Sequence, residues 1–337
     1  MNTRVVLAAR PDGAPTADDF RIETSPVPEP GDGELLLRTI YLSLDPYIRG
    51  RMGPGLVYRS LAAPMELGTV IPGGTVCEVV ESRYPGISPG AVVLAGTGWQ
   101  AYGVQPGAAV RLLDPDAAPV STALGVLGVP GFTGYVGLNL IARPRPGETV
   151  VVAAASGAVG SMVAQLARMG GARAVGIAGG PEKTSWLREI GLDAVIDHRE
   201  PGFDDALAAA TPDGIDVYFE NVGGHVLEAV IPRLNAGTRV PVCGLVSMYN
   251  GAPAEPRADL LPAFMSAILS RQITVQGFAY VPYVEAHQDE FLRQATEWVR
   301  SGAITYREQI VDGLESAPDA FIGILGGANF GKLLIKP

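Results

Sequence analysis

The sequence predicts an α/β protein built from two parts, a β-rich domain and a domain formed around a parallel sheet. The chain has 337 residues, 47% of them hydrophobic and 18% charged, which is enough for two buried cores. Short strands separated by turn residues fill the first third, and strands alternate with helices from about residue 124. No apolar run approaches the ~20 residues of a membrane span, and the N-terminus lacks a signal-peptide pattern. We therefore expect a cytoplasmic protein.

The first part, residues 1–123, is predicted to be an irregular and largely antiparallel β domain. Its clearest strands are separated by Pro- and Gly-rich turns and cover residues 34–40, 74–81 and 91–95. Residues 300–337 return to β-like segments, such as 332–336, with a turn at Gly326 and Gly327. We expect this last stretch to rejoin the first domain.

The second part, residues 124–299, is predicted to form a parallel sheet with helices on both faces. Its predicted strands cover residues 149–154, 174–178, 194–196, 215–220 and 237–243, and its predicted helices cover 157–169, 181–190, 203–210 and 224–234. Residues 273–278 could form the last strand, which would leave an open edge for pairing with a second copy of the chain.

Charge and cysteine content exclude some classes of function. The formal net charge of −10 argues against an extended nucleic-acid surface, because phosphates need clustered Lys and Arg. The two cysteines, Cys77 and Cys243, cannot build a disulfide framework. Each lies within an apolar, strand-like run, so we expect both to be buried core thiols.

A candidate nucleotide site follows the strand 149–154. The turn contains four positions of a dinucleotide-binding fingerprint, Gly157, Ala158, Val159 and Gly160. Gly157 lets the backbone approach a pyrophosphate and Gly160 permits close helix–strand packing, while free N–H groups at the helix start face the phosphates. Ala155 stands where the fingerprint has its first glycine, so a tight turn without a ligand is the alternative. The strand–turn–helix context favours a bound dinucleotide.

Charge at the end of the next strand indicates which dinucleotide to expect. An NAD site usually has Asp or Glu about 20 residues past the fingerprint, where it binds the ribose hydroxyls. Here the strand ends in small residues at Gly179, and Lys183 lies at the start of the following helix. The third strand ends at His198 and Arg199, which offer a second cationic contact. The sequence therefore predicts NADP(H).

Six separated motifs support this interpretation and carry a family resemblance. They cover residues 43–50, 154–160, 179–183, 218–224, 243–250 and 329–332. In this order and over nearly the whole chain, they resemble the zinc-independent medium-chain dehydrogenases/reductases, specifically the prostaglandin reductase and 2-alkenal reductase group. The resemblance implies a bilobal enzyme with a GroES-like catalytic domain (1–123 and 300–337), a Rossmann NADP-binding domain (124–299) and a site in the cleft between them. It also implies a homodimer.

The resemblance further implies roles for individual residues. Gly157 to Gly160 would hold the pyrophosphate, Lys183 the 2′-phosphate, and Asn221 another part of the cofactor. The ribose and nicotinamide would be lined by Cys243, Gly244, Ser247 and Tyr249, flanked by Phe278, Ala279 and Tyr280, and covered by Asn329. Relatives commonly carry Tyr at the position of His198, so whether His198 or Arg199 contacts the 2′-phosphate stays open.

Metal-dependent chemistry of this fold is disfavoured by the residues present. A zinc site needs about three or four converging N, S or O donors. The only histidines are His198, His225 and His287, all in the second half, and the first domain has Cys77 but no His. We therefore expect no metal, and we expect His225 and His287 to be surface residues of helices.

Conjugate reduction needs no metal, because neutral donors can stabilise an enolate oxygen. Tyr47, Tyr249 and Tyr280 are the candidate donors. We expect Tyr249 to act near the nicotinamide and Tyr47 on the substrate side, the alternative being that they only shape the pocket. The predicted function is NADPH-dependent reduction of the C=C bond of enals and enones. The alternatives are an NADPH quinone reductase and a non-catalytic NADPH-binding protein. The loops 51–66 and 245–262 should shape the pocket but do not specify the substrate.

Overall fold

The computed structural model describes residues 1–53, 63–251 and 259–337. The strands in these residues are β1 (Asn2–Leu7), β2 (Phe20–Ser25), β3 (Glu34–Ser43), β4 (Thr75–Ser82), β5 (Val92–Ala95), β6 (Tyr102–Pro106), β7 (Arg111–Leu112), β8 (Thr149–Val152), β9 (Arg173–Ala178), β10 (Ala194–Asp197), β11 (Ile215–Phe219), β12 (Leu234–Val242), β13 (Thr274–Gly277), β14 (Glu308–Asp312) and β15 (Lys332–Lys336). The α-helices are α1 (Arg49–Met52), α2 (Val129–Tyr135), α3 (Ala158–Met169), α4 (Pro181–Glu189), α5 (Phe203–Ala210), α6 (Gly224–Val230), α7 (Leu261–Arg271), α8 (Val284–Arg300) and α9 (Ala317–Leu325).

The described residues divide into two compact units. The first contains those within 1–128, 249–251 and 308–337, and the second those within 129–248 and 252–307. None of the helices described in either unit has the length and apolar character needed to cross a membrane.

The first unit is formed around a mixed sheet. Its strand order is β14-β15-β3-β4-β5-β7, and β6 pairs with β3. All these pairs are antiparallel except β14 with β15. Alternate residues of β3, β4 and β5 point into one core, which includes Leu35, Leu37, Cys77, Val79 and Val93, all fully buried. This β-rich unit agrees with the fold class that the sequence predicts.

Helix α9 corrects the expectation that residues 300–337 are only β-like. Its buried residues Phe321, Ile324 and Leu325 recur at helical spacing, and Pro318 lies in the first turn, where its missing N–H is not needed. The helix has nine residues, so its apolar pattern is too short to be distinguished from a strand by periodicity alone.

The second unit is a six-stranded parallel sheet with the order β10-β9-β8-β11-β12-β13. The chain starts at β8 in the centre, adds two strands on one side and then returns to add three on the other. This is the doubly wound arrangement, in which ligands bind at the carboxyl ends of the strands where the order reverses. The predicted Rossmann fold is therefore confirmed, and β13 forms the open edge that the sequence predicts.

The end of one predicted helix and the start of the next predicted strand in this unit differ from the structure, because of a proline. The helix predicted over 224–234 ends at Val230 and is followed by a short 3-10 helix, Ile231–Arg233. Pro232 lacks the N–H that a continuing α-helix would need. Strand β12 consequently begins at Leu234, three residues before the predicted 237.

Candidate functional site

The turn between β8 and α3 is tight and leaves the start of α3 without a side-chain cap. Ala154 has a φ of +50°, a left-handed conformation that is uncommon for a residue with a side chain. Gly157 precedes the helix and donates its N–H to the Ala154 carbonyl oxygen at 3.0 Å, but it has no side chain to cap the first helical turn. A Cβ at Gly160 would lie 2.3 Å from the same carbonyl oxygen, so this position requires glycine for close packing.

Ala155 is accommodated at the first glycine position of the fingerprint by a glycine on the neighbouring strand. Ala155 is fully buried, and its Cβ lies 3.1 Å from the point where a Cβ on Gly176 would stand. That same point is 2.6 Å from Leu192 Cδ2, which leaves no room for a side chain at Gly176. The side chain of Ala155 therefore lies next to space that the absence of a side chain at Gly176 leaves open.

Cationic groups gather around Gly179 at the end of β9. A Cβ at Gly179 would lie 2.6 Å from Arg199 Nε and 2.8 Å from His198 Nε2, so both side chains cover this glycine. Burial lowers the pKa of Lys183, the nearby positive charge of Arg199 lowers it further, and Asp197 opposes both effects. An anion near these groups would relieve their mutual repulsion.

Asp197 shapes this cationic region through its two carboxylate oxygens. One accepts the backbone N–H of Gly180 at 2.7 Å and the other accepts the N–H of Arg199 at 2.9 Å. The turn after β9 and the turn after β10 are thus fixed by one side chain. An uncapped helix start and this cationic region together fit a ligand that carries a pyrophosphate and a further phosphate.

His225, which the sequence predicts to be a surface residue of a helix, contacts His198. It lies on α6, is half-buried, and its Nε2 stands 3.0 Å from Nδ1 of His198. Phe203 packs edge-on against both imidazole rings. The sequence gives no signal for this pair, because the two histidines are 27 residues apart on different elements.

A buried glutamate organises the loop after β11. Glu220 is 1% exposed, and its Oε1 accepts the N–H groups of Val222 at 2.6 Å and Gly223 at 2.9 Å. Burial raises the pKa of Glu220, although these backbone hydrogen bonds oppose the effect. Asn221 donates from Nδ2 to the Ala153 carbonyl oxygen at 2.8 Å, which joins this loop to the end of β8. Glu220 lies within a predicted motif, but the sequence assigned it no role.

The loop after β12 is hydrogen-bonded to the loop after β11. The N–H groups of Cys243 and Gly244 both donate to the Glu220 carbonyl oxygen, at 2.9 and 3.2 Å. Ser247 donates to the Val222 carbonyl oxygen from its N–H and its hydroxyl, at 3.0 and 2.6 Å. These contacts place Gly244 and Ser247 near Asn221.

The expectation of two buried core thiols holds for Cys77 but not for Cys243. Cys77 is fully buried in β4. Cys243 follows β12 and is only partly covered. Although the residue as a whole is only half-buried, burial of its thiol raises the pKa of Cys243 to about 12, and the carboxylate of Glu220 adds to this rise. Cys243 is therefore a weak nucleophile at neutral pH.

The segment after β13 rests on aromatic side chains of the second unit. Phe278 packs edge-on against Phe219 with ring centroids 6.2 Å apart, and Tyr280 packs edge-on against Phe132 at 6.3 Å. Ala279, between them, is half-buried. These contacts fix the backbone of the segment at the end of the sheet.

Three of the residues predicted to lie in the cofactor and substrate site belong to the first unit. Tyr47 lies on the short 3-10 helix Pro46–Ile48 and is 40% exposed, whereas Tyr249 is 6% exposed. Asn329 donates from Nδ2 to the Gly331 carbonyl oxygen at 2.9 Å. Parts of the two expected pocket loops, residues 54–62 and 252–258, lie outside the described residues.

Metal-ligating side chains do not converge in the part of the chain that the structure describes. No group of three or more His, Cys, Asp or Glu residues there has the arrangement to hold a metal ion. The His198–His225 pair contributes two nitrogens, but these lie in contact with each other.

Known proteins match both units of the chain. Residues 3–113 match a family described as the N-terminal domain of oxidoreductase, and residues 158–299 match one described as zinc-binding dehydrogenase. The chain is 48% identical to NADPH-dependent curcumin reductase of Escherichia coli, over 99% of this chain and 96% of that protein. It is 36% identical to prostaglandin reductase 1 of Bos taurus, over 96% of this chain and 95% of that protein.

A solved structure is also similar to this chain over nearly its whole length. The crystal structure of CurA from Vibrio vulnificus in complex with NADPH is similar, with a TM-score of 0.94 and 47% identity. The similarity covers 99% of this chain and 98% of that one.

Proposed function

Because the chain belongs to the curcumin reductase and prostaglandin reductase group of medium-chain dehydrogenases/reductases, we propose that it is an NADPH-dependent reductase of the C=C bond in α,β-unsaturated aldehydes and ketones. The observation that carries this proposal is the cationic region around Gly179, beside the uncapped start of α3. NADPH, when bound, supplies a hydride for the β-carbon of the substrate.

The proposed cofactor contacts divide between three parts of the second unit. The N–H groups of Ala158, Val159 and Gly160 bind the pyrophosphate, because the first turn of a helix has no internal partners for them. Lys183 and Arg199 bind the 2′-phosphate beside Gly179 and His198. Asn221, Gly244 and Ser247 lie along the ribose and nicotinamide, flanked by Phe278, Ala279 and Tyr280, while Cys243 serves as an unreactive wall residue.

The first unit supplies the proposed groups for the substrate. Tyr249 donates its phenolic hydrogen bond to the carbonyl oxygen of the enone and stabilises the enolate that forms there. Tyr47, with its exposed ring, contacts the substrate, and Asn329 covers the nicotinamide end of the cofactor. The α-carbon then takes a proton that originates in solvent.

Metal independence is part of the proposal. A tyrosine hydroxyl can stabilise an enolate without a Lewis acid, and the described residues lack a converging donor set. We expect activity to survive prolonged EDTA treatment. Chelator-sensitive turnover with stoichiometric zinc would contradict this expectation.

A homodimer is the proposed assembly. All four residues of the edge strand β13 are exposed, and helix α7 presents Leu261, Met265 and Leu269 to solvent with 63%, 55% and 82% exposure. Open strand edges and exposed apolar stripes of this kind favour pairing with a second copy. Sedimentation should show a dimer, and a monomer at micromolar concentration would disprove it.

Isotope labelling tests the proposed reaction directly. With NADPH deuterated at the transferred position and an enone such as but-3-en-2-one, the product should be the saturated ketone with deuterium on the β-carbon. The hydrogen added to the α-carbon should come from solvent, so the reaction in deuterated water with unlabelled NADPH should label that carbon instead.

Other outcomes separate the alternatives. An allylic alcohol would mean carbonyl reduction and would disprove C=C specificity. Rapid NADPH oxidation with quinones but not with enones would favour a quinone reductase. Tight NADPH binding without turnover of either class would favour a binding protein.

A further inference from the structure

His198 and His225 form a hydrogen-bonded pair at the edge of the cationic region. Nδ1 of His198 and Nε2 of His225 are 3.0 Å apart, and both rings are half-buried against Phe203. The other ring nitrogen of His198, Nε2, faces Gly179, because a Cβ on that glycine would lie 2.8 Å from it. The pair therefore connects the α6 helix to the side of Gly179 where the 2′-phosphate is proposed to bind.

The distance within the pair restricts where protons can reside. Only one hydrogen fits between two nitrogens at 3.0 Å, so one ring donates and the other accepts. When His225 donates, the neutral His198 carries its own hydrogen on Nε2 and presents a donor toward Gly179. When His198 donates, its Nε2 presents a lone pair instead, which would repel a phosphate oxygen. The partner ring thus decides what His198 offers to a ligand.

The pair can hold at most one positive charge. With one added proton, the bridging hydrogen remains and the outer nitrogens of both rings carry hydrogens, so His198 always presents a donor. Burial lowers the pKa of His198, and the charges of His225, Arg199 and Lys183 lower it further, against the opposing effect of Asp197. Asp197 and Arg199 flank His198 at the end of β10, and Lys183 lies on α4. An added dianion on the Gly179 side would reverse their balance.

We propose that His198 and His225 act as one proton-accepting pair in the 2′-phosphate site, so that NADPH binds with uptake of a proton and NADH does not. In this pair His198 is a cofactor-binding residue, and His225 is the positioning residue that keeps a donor on His198 Nε2. The inference rests on the proposed NADPH function. It makes the preference for NADPH over NADH depend on pH.

The sign of the pH dependence follows from linkage. A ligand that binds with proton uptake binds more tightly as pH falls, by at most about tenfold per pH unit for one proton. The ratio of the NADH Kd to the NADPH Kd should therefore rise as the pH falls from about 8 to about 6.5. The phosphate itself, with a second pKa of about 6, is about nine-tenths ionised at pH 7 and about three-quarters ionised at pH 6.5, so its own protonation reduces the rise only at the acid end of this range.

Calorimetry tests the proposal on the full-length protein. NADPH and NADH are titrated at about pH 7 in PIPES, HEPES and Tris buffers, whose ionisation enthalpies differ, and the slope of the binding enthalpy gives the protons exchanged. Wild type should take up a measurable fraction of one proton with NADPH and close to none with NADH. His198→Tyr and His225→Phe should both abolish the uptake. His287→Gln, the third histidine of the chain, should keep it.

Each remaining result has a definite meaning. Uptake that is absent in wild type, equal for the two cofactors, or unchanged in both pair variants would disprove the proton-accepting pair. Failure of NADPH to bind more tightly than NADH in wild type would instead contradict the proposed NADPH function. If His225→Phe does not fold, judged by circular dichroism and by NADH affinity, His225→Asn provides the same test because its amide cannot take up a proton.

Discussion

The ammonium group of Lys332 lies 2.7 Å from Oδ1 of Asp45 and 2.9 Å from the carbonyl oxygen of Leu44, and the lysine is only 4% exposed. The second carboxylate oxygen of Asp45 accepts the hydroxyl of Ser43 at 2.5 Å. This ion pair connects the last strand, β15, to the turn that leads into the 3-10 helix with Tyr47. The proposed substrate-side tyrosine therefore depends on a residue near the C-terminal end of the chain.

Lys332→Met should destabilise the protein by about 3 kcal/mol, because it leaves the carboxylate of Asp45 partly buried without its cation. The value lies at the low end for a broken buried pair, since the Asp45 side chain is 23% exposed. Urea denaturation measures the change. Lys336→Met, an exposed lysine on the same strand, is the matched control and should change stability by less than about 0.5 kcal/mol. Equal losses in both variants would show that the ion pair has no special role.

Glu220 should make stability depend on pH. Burial raises its pKa in the folded state, so the fold favours the protonated carboxyl. The contribution of the protonated carboxyl to folding stability is then fully present below the ordinary pKa of glutamate. It is lost as pH rises through the raised pKa of the folded state. Glu220→Gln removes this titration and still accepts the N–H groups of Val222 and Gly223. In thermal denaturation, the Tm of Glu220→Gln should increase relative to the Tm of wild type as pH rises from about 5 to 8.

A second variant separates the charge of Glu220 from its hydrogen bonds. Glu220→Ala leaves two backbone N–H groups without their acceptor and should cost about 1–3 kcal/mol at every pH. Glu182→Gln, an exposed glutamate on α4, is the control for a general effect of charge. A constant difference between Glu220→Gln and wild type across the pH range would contradict the assigned protonation.

The sequence predicts this fold well where the signal is local. Alternating strands and helices specify the parallel sheet, and Gly160 is needed for close packing, as the geometry of Ala154 requires. The pairing of His198 with His225 could not be predicted, because it depends on packing between elements 27 residues apart. Ala155 departs from the fingerprint when the turn is read alone. The glycine that leaves room for its side chain, Gly176, lies on another strand. Residues whose role depends on tertiary neighbours are thus the ones that the sequence leaves open.

Lys183→Ala should separate the two cofactors. The ammonium can form a charge-assisted hydrogen bond with the 2′-phosphate, worth about 1.5–3 kcal/mol. The KM for NADPH should rise by roughly 10- to 100-fold, while the KM for NADH should change little. Arg188→Ala, an exposed cation on the same helix, controls for general loss of positive charge. Similar losses for NADPH and NADH would indicate that Lys183 supports the fold rather than recognising phosphate.

Tyr249→Phe tests the proposed donor to the enolate. Loss of the hydroxyl should lower kcat by up to about 100-fold with little change in the affinity for NADPH, since general acids contribute roughly 10²–10⁴-fold and the cofactor ribose hydroxyl can share the task. The primary isotope effect with deuterated NADPH should increase in this variant, because hydride transfer becomes slower relative to cofactor binding and product release. A mere change of pocket shape would raise the KM for the enone and leave that isotope effect as it was. Tyr283→Phe, a tyrosine packed against His287 in the second unit, is the matched control and should keep wild-type kinetics. Wild-type turnover in Tyr249→Phe would assign the stabilisation of the enolate to another group.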